Sequence, residues 1–133
     1  MRNVFVDTNI IIDFTKGFDN NLNNLINLQK QNLVGIWVNP IVITEFFNDK
    51  SLKNKNNFDR SNKLFNFFKI VNLTGKIGFL AGEILRTNQV NFTADALIAA
   101  TCLNNNLELV TNSVKDFKKV KSLKFFRLDN KKF

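Results

Sequence analysis

Short apolar runs alternate along this chain with longer stretches of helical period. The runs at 3–6, 34–38, 70–73, 107–110 and 125–128 predict strands. Between them, apolar residues return every three or four positions. That spacing predicts a helix over 8–15, one through Leu22, Leu25, Ile26 and Leu28, and one through Ile41, Val42, Glu45 and Phe46. Further helices are predicted through Leu64, Phe65, Phe67 and Phe68, through Ile77, Leu80, Ala81, Ile84 and Leu85, and over 94–103. Asn39-Pro40 reads as a helix start, with Asn as the N-cap and Pro at the first helical position. Thr74 and Thr93 are the candidate caps for the two helices that follow them. Residues 48–62 are rich in Asn and Lys and predict a mobile loop or a helix with one wet face. Strands alternating with helices predict an α/β domain with a mostly parallel sheet flanked by helices on both faces. No repeat or linker interrupts the 133 residues, so a single domain over 1–133 is expected. In such sheets, sites form beyond the C-terminal ends of the strands.

Composition narrows the chemistry sharply. There is no histidine, which excludes a Ser-His-Asp triad, a histidine base and histidine-based zinc sites. One cysteine, Cys102, excludes an intrachain disulfide framework and a multi-thiolate zinc site. Any catalysis must use carboxylates, hydroxyls, lysines or a metal held by oxygen. The 19 Lys+Arg against 11 Asp+Glu give a net charge of +8, which favours a polyanionic partner, nucleic acid first. Heavy use of Lys, Asn, Ile and Phe with no Tyr also fits an AT-rich coding sequence, so composition drift supplies part of that excess. No apolar run approaches the roughly 20 residues of a membrane span, and no targeting segment is evident, so a cytoplasmic location is expected.

Four acids stand in unusual company. Asp7 ends the run Val4-Phe5-Val6, Glu45 is the one charge within Ile41-Val42-Ile43-Thr44-Glu45-Phe46-Phe47, and Asp95 is the one charge within 92–100. Asp116 lies just past the strand at 107–110. Each follows a strand or opens a helix, so parallel neighbours would gather all four at one sheet edge. Two carboxylates about 4 Å apart repel by roughly 4 kcal/mol at an effective dielectric of 20. A cluster of them raises its own pKa values or requires a cation. Without histidine or thiolates the matching cation is hard, Mg²⁺ or Mn²⁺, which activates water and stabilises charge on a phosphate. Each acid also has a structural reading: Asp7 as an N-cap, Asp95 as a partner of a helix dipole, Asp116 as a turn residue, Glu45 as a side chain turned to solvent.

The segments Val4-Phe5-Val6-Asp7-Thr8-Asn9, Thr44-Glu45, Ala94-Asp95-Ala96-Leu97-Ile98-Ala99-Ala100 and Val110-Thr111-Asn112-Ser113-Val114-Lys115-Asp116-Phe117 resemble, in order and spacing, the motifs of PIN-domain ribonucleases. The resemblance is greatest to VapC-type toxins of bacterial toxin–antitoxin pairs and covers nearly the whole chain. It implies a PIN-like α/β/α sandwich and a Mg²⁺ or Mn²⁺ site formed by Asp7, Glu45, Asp95 and Asp116. It further implies hydrolysis of RNA phosphodiester bonds, a homodimer, and an antitoxin partner. Family members often carry Asn three residues before the last acid; here Ser113 stands there with Asn112 beside it. Thr111 matches the family's hydroxyl position and is expected to orient a ligand.

The C-terminal fifth is strongly basic. Lys115, Lys118, Lys119 and Lys121 read either as an RNA-phosphate track beside Asp116 or as solvated surface. Phe46, Phe47, Phe67 and Phe68 are candidates for a dimer or antitoxin surface, while Asp13 is expected on a solvated helix face. An aspartyl-phosphate phosphatase would need a second Asp where Asn9 stands. The remaining alternative is a non-catalytic RNA-binding module of the same fold.

Overall fold

A strand in the middle of a parallel sheet is covered on both faces, so its residues are apolar without alternation. The central strand β1 (Arg2–Val6) ends in Val4, Phe5 and Val6, all fully buried. The computed structural model, which describes residues 1–127, pairs β1 in parallel with β2 (Val34–Val38) on one side and β4 (Glu108–Val110) on the other. A two-residue β3 (Lys69–Ile70) lies outside β2, giving the order β3-β2-β1-β4 with every pair parallel. The helices α1 (Thr8–Thr15), α2 (Asn21–Lys30), α3 (Pro40–Phe47), α4 (Lys55–Phe65), α5 (Gly75–Arg86), α6 (Thr93–Asn105) and α7 (Val114–Phe117) complete the domain. This is the expected α/β/α sandwich around a parallel sheet. Among the described residues, no helix is long and apolar enough to cross a membrane.

Local rules explain most element ends. Asn39 caps α3 by accepting from the Val42 N–H, with Pro40 at the first turn. Thr74 caps α5 through the Ile77 N–H. Three helices hand over to the next segment through an asparagine at positive φ: Asn32 after α2, Asn88 after α5 and Asn106 after α6. Asparagine tolerates this left-handed geometry better than most residues because its short amide bonds locally.

Several expectations are corrected. Thr93 is the first helical residue of α6, not its cap; Phe92 holds that position without a side-chain bond. Of the two forms expected for residues 48–62, the helix with one wet face is the one found: after a 3₁₀ turn, Lys50–Lys53, the segment forms most of α4, which Asn54 caps through the Asn57 N–H. Accordingly α4 stops at Phe65, before Phe67 and Phe68. The strand expected at 70–73 pairs only over Lys69–Ile70, extended by a Val71 N–H bond to the Val38 carbonyl. The last expected strand is reduced to one bridge, Leu109 to Phe125, and Leu128 lies outside the described residues. Phe46 and Phe68 face the interior rather than a surface, stacking through Phe65 at 5.0 and 5.1 Å between ring centres. Among the described residues the most exposed phenylalanines are instead Phe79, Phe18 and Phe92.

One buried polar link joins the two halves of the domain. Asn39, fully buried, donates from its amide to Thr101 Oγ1 on α6 at 3.0 Å while capping α3. Thr101 in turn donates to the Leu97 carbonyl. Asn39→Ala removes the cap and strands Thr101 in the core. A loss of about 2–4 kcal/mol in urea unfolding is expected; a loss below about 0.5 kcal/mol would contradict this role for the link.

Candidate active site

Each of the four acids is delivered by a different element. Asp7 follows β1 and caps α1; Glu45 lies on α3, Asp95 in the first turn of α6, and Asp116 on the short α7 that follows β4. All four line one cleft of about 430 Å³ at the C-terminal edge of the sheet. Ser113 and Asn48 line it as well.

Asp7 is the deepest, at 7% exposure. One carboxylate oxygen accepts from the Thr8 N–H at 2.8 Å and the other from the Thr111 hydroxyl at 2.7 Å. Burial pushes its pKa up; the bonds from Thr111 and Thr8 work against that, and the charges of Glu45 and Asp116 add to it. Asp95 is half-buried and its pKa rises to about 6, first through desolvation and then through the charges of Asp7, Asp116 and Glu45. Glu45 is exposed to the cleft rather than buried, and its carboxylate accepts from the Thr8 hydroxyl at 2.8 Å. Asp116 is exposed, its backbone N–H bonded to the Ser113 carbonyl.

Among the described residues, no ion pair reaches any of these four carboxylates; the pair that forms, Arg2 with Glu108, sits at the opposite end of β1 and β4. Hard oxygen donors with no cation of the protein's own suit a hard divalent ion. As they stand, no three acids among the described residues come close enough to hold an ion together. Glu45 and Asp116 are the two exposed members of the four, whereas Asp7 is buried and Asp95 half-buried.

The other predicted residues separate. Thr111 touches Asp7 but lines a neighbouring hollow together with Asn112, while Ser113 alone of the three lines the cleft. Lys115, Lys118, Lys119 and Lys121 are all exposed, on α7 and the turn after it. Sequence reasoning missed a ring of supports. Thr8 bridges from the Asp7 carboxylate to Glu45. Asn9 donates to Ser113 Oγ at 3.1 Å and accepts from the Asn112 N–H. Asp13, expected in solvent, is half-buried and accepts from the Asn112 amide at 2.7 Å. The available signal was position: residues 8, 9 and 13 share the helix that Asp7 opens, and i, i+4 neighbours share a face.

Comparison with known proteins agrees with this geometry. The family model of the PIN domain matches residues 4–123, so the chain belongs to the PIN-domain family. Within it the chain is of the VapC type. It is 31% identical over 124 residues to Ribonuclease VapC2 of Rickettsia felis, spanning 89% of this chain and 92% of that protein. The crystal structure of VapBC2 from Rickettsia felis bound to a promoter DNA fragment matches with a TM-score of 0.76 at 26% identity, over 93% of this chain and 97% of that one. DNA-bound VapBC from Salmonella typhimurium shares the fold, with a TM-score of 0.80 at 19% identity, over 96% and 99% of the two chains.

The crowding of like charges has a pH signature. A carboxyl whose pKa is higher folded than unfolded opposes folding once ionised. For Asp95 that cost is absent below its ordinary 3.8 and complete above about 6. The metal-free protein is therefore expected to lose stability as pH rises from about 4 to 6. Asp95→Asn is expected to raise its Tm at pH 7.5 and flatten that slope, as scanning calorimetry would register; an unchanged slope would contradict the origin assigned to it.

Proposed function

We propose that this protein is a divalent-metal-dependent endoribonuclease, Mg²⁺ or Mn²⁺ being the cofactor, and the toxin of a toxin–antitoxin pair. The observation that carries this reading is a cleft lined by four carboxylates with no ion-paired cation among the described residues, in a chain of net charge +8. The ribonuclease name of the Rickettsia felis relative and the complexes formed by the solved structures support it. The partners in this reading are RNA, a cognate antitoxin and a second copy of the chain.

When bound, the ion supplies a Lewis acid that activates water and stabilises charge developing on the phosphate. Asp7 and Asp95 are assigned as its direct ligands. Glu45 and Asp116 complete the ion's shell or position the attacking water. Thr111 holds Asp7 and Thr8 holds Glu45, fixing both carboxylates in the lining of the cleft. Asp95, whose carboxyl pKa is pushed up to about 6 by burial and by the neighbouring acids, would be held ionised by a bound cation. Ser113, lining the cleft where relatives often carry Asn, presents its hydroxyl near the acids.

A second reading, a PIN-like module that binds RNA without cutting it, draws on the fact that no three acids among the described residues yet close on an ion. Incubating total bacterial RNA with the purified protein separates the two. Discrete fragments with Mn²⁺ or Mg²⁺ are expected, lost in EDTA and reduced at least about a hundredfold by Asp7→Asn or Asp95→Asn. Intact RNA after exposure to folded, antitoxin-free protein would favour the binding module.

The lysines beyond the cleft carry the second test. Replacing Lys118, Lys119 and Lys121 together by Ala is expected to raise KM severalfold with little change in kcat. It is also expected to flatten the dependence of binding on salt by up to about three counterions. Unchanged salt dependence would return these lysines to plain solvated surface.

A further inference from the structure

A second hollow, of about 380 Å³, adjoins the carboxylate cleft, and Ile12 forms part of both walls. It lies between the end of α1 and the segment from the 3₁₀ turn through α4. Its floor is apolar, with Phe46, Leu52 and Leu64, and Phe14 stands at the wall. One polar group breaks this surface. Ser61 is the buried residue of α4, at 7% exposure, and its hydroxyl has no hydrogen-bond partner among the described residues. Helical serines commonly bond back to the carbonyl one turn earlier; Ser61 does not, and it lines the hollow instead.

The rim is cationic. Lys16, just past α1, and Arg60, on α4, are both exposed in its lining, and Arg60 donates to the Asn57 amide oxygen at 2.7 Å. The acid on this rim, Asp49, is occupied by the N–H and hydroxyl of Ser51, and its charge faces Lys16.

We propose that this hollow is a nucleotide subsite, taking the base next to the scissile phosphate while Lys16 and Arg60 hold that nucleotide's phosphate. The inference rests on the nuclease reading above and deepens it. Its volume falls within the roughly 300–1,000 Å³ of small-molecule sites. Phe14 at the wall gives a flat base an aromatic side chain to lie against, and the Ser61 hydroxyl in the lining meets the polar edge of that base. The hollow and the cleft share Ile12, so a chain lying in one is led directly to the other. Ser61 then distinguishes bases by their edges, and the two cations hold any of them.

The test uses the full isotope-labelled protein in EDTA, titrated separately with the four nucleoside 5′-monophosphates and followed by amide NMR. Amides of residues 14–16 and 60–61 should move, one or two nucleotides binding better than the rest. Lys16→Ala should weaken all four about tenfold. Ser61→Ala should narrow the differences among them and, with Mn²⁺ present, change the base found beside mapped cuts. No response at these amides, or identical titrations for wild type and both variants, would overturn the subsite. So would a poly-glutamate peptide that moves these amides where nucleotides do not, which would assign the hollow to a protein segment. Binding is read without metal, so nucleotides that bind here in a protein that never cuts RNA would uphold the subsite and overturn the nuclease.

Discussion

Everything at the candidate site of this domain answers to one constraint: four like charges line one cleft with no counter-charge among the described residues. Asp7 and Asp95 are pushed upward in pKa by desolvation and by the remaining acids. The protein does nothing of the sort elsewhere. At the other end of the same two strands, Arg2 and Glu108 form an ion pair, and Arg2 also lies over the Phe126 ring at 4.4 Å. Charge is neutralised where the sheet begins and left unbalanced where it ends. That asymmetry is expensive, and stability given up at a site is commonly the mark of what the site must bind.

Holding such a cluster together requires hydrogen bonds that do not carry charge. Hydroxyls provide them at the acids themselves, Thr111 to Asp7 and Thr8 to Glu45. Amide donors provide them one step back, where Asn9 donates to Ser113 and Asn112 donates to Asp13, holding the loop 111–113 against α1. A third tier lies in the core, where Asn39 joins the start of α3 to α6, the helices bearing Glu45 and Asp95. No lysine or arginine enters any tier. A cation there would pair with the carboxylates and occupy the place of an incoming ion.

How much of this was legible in the sequence depends on the range of the interaction. Val4-Phe5-Val6 reads as a central strand because burial on both faces removes alternation, and Asn39-Pro40 reads as a helix start because the cap is local. The four acids were visible as charges in apolar company, and parallel strand order brings them together. Contacts across long sequence separations were invisible. Asp13 meets Asn112 across 99 positions, and nothing near either residue announces the other. The aromatic pairs misled for the same reason: whether Phe46 faces solvent or core is decided by Phe65 and Phe68 packing against it, not by its own neighbours in sequence.

The biased composition bears on the meaning of the basic surface. If drift toward AT-rich codons had filled the chain with inert residues, asparagines would be scattered over featureless surface. Instead Asn39 and Asn54 cap helices, Asn32, Asn88 and Asn106 turn them off, and Asn9 and Asn112 brace the site. The residue that drift supplies has been placed where short polar side chains are useful. The same logic extends to the lysines. They are absent from the lining of the carboxylate cleft and present on its surroundings, at Lys16 on one flank and at Lys115, Lys118 and Lys119 beyond Asp116. An anionic chain drawn to those flanks must cross the acids, which repel it as long as they stand uncompensated. In the proposed reading cation and polyanion are therefore coupled: each would lower the cost of the other's arrival, which ties the acids of the cleft to the lysines around it.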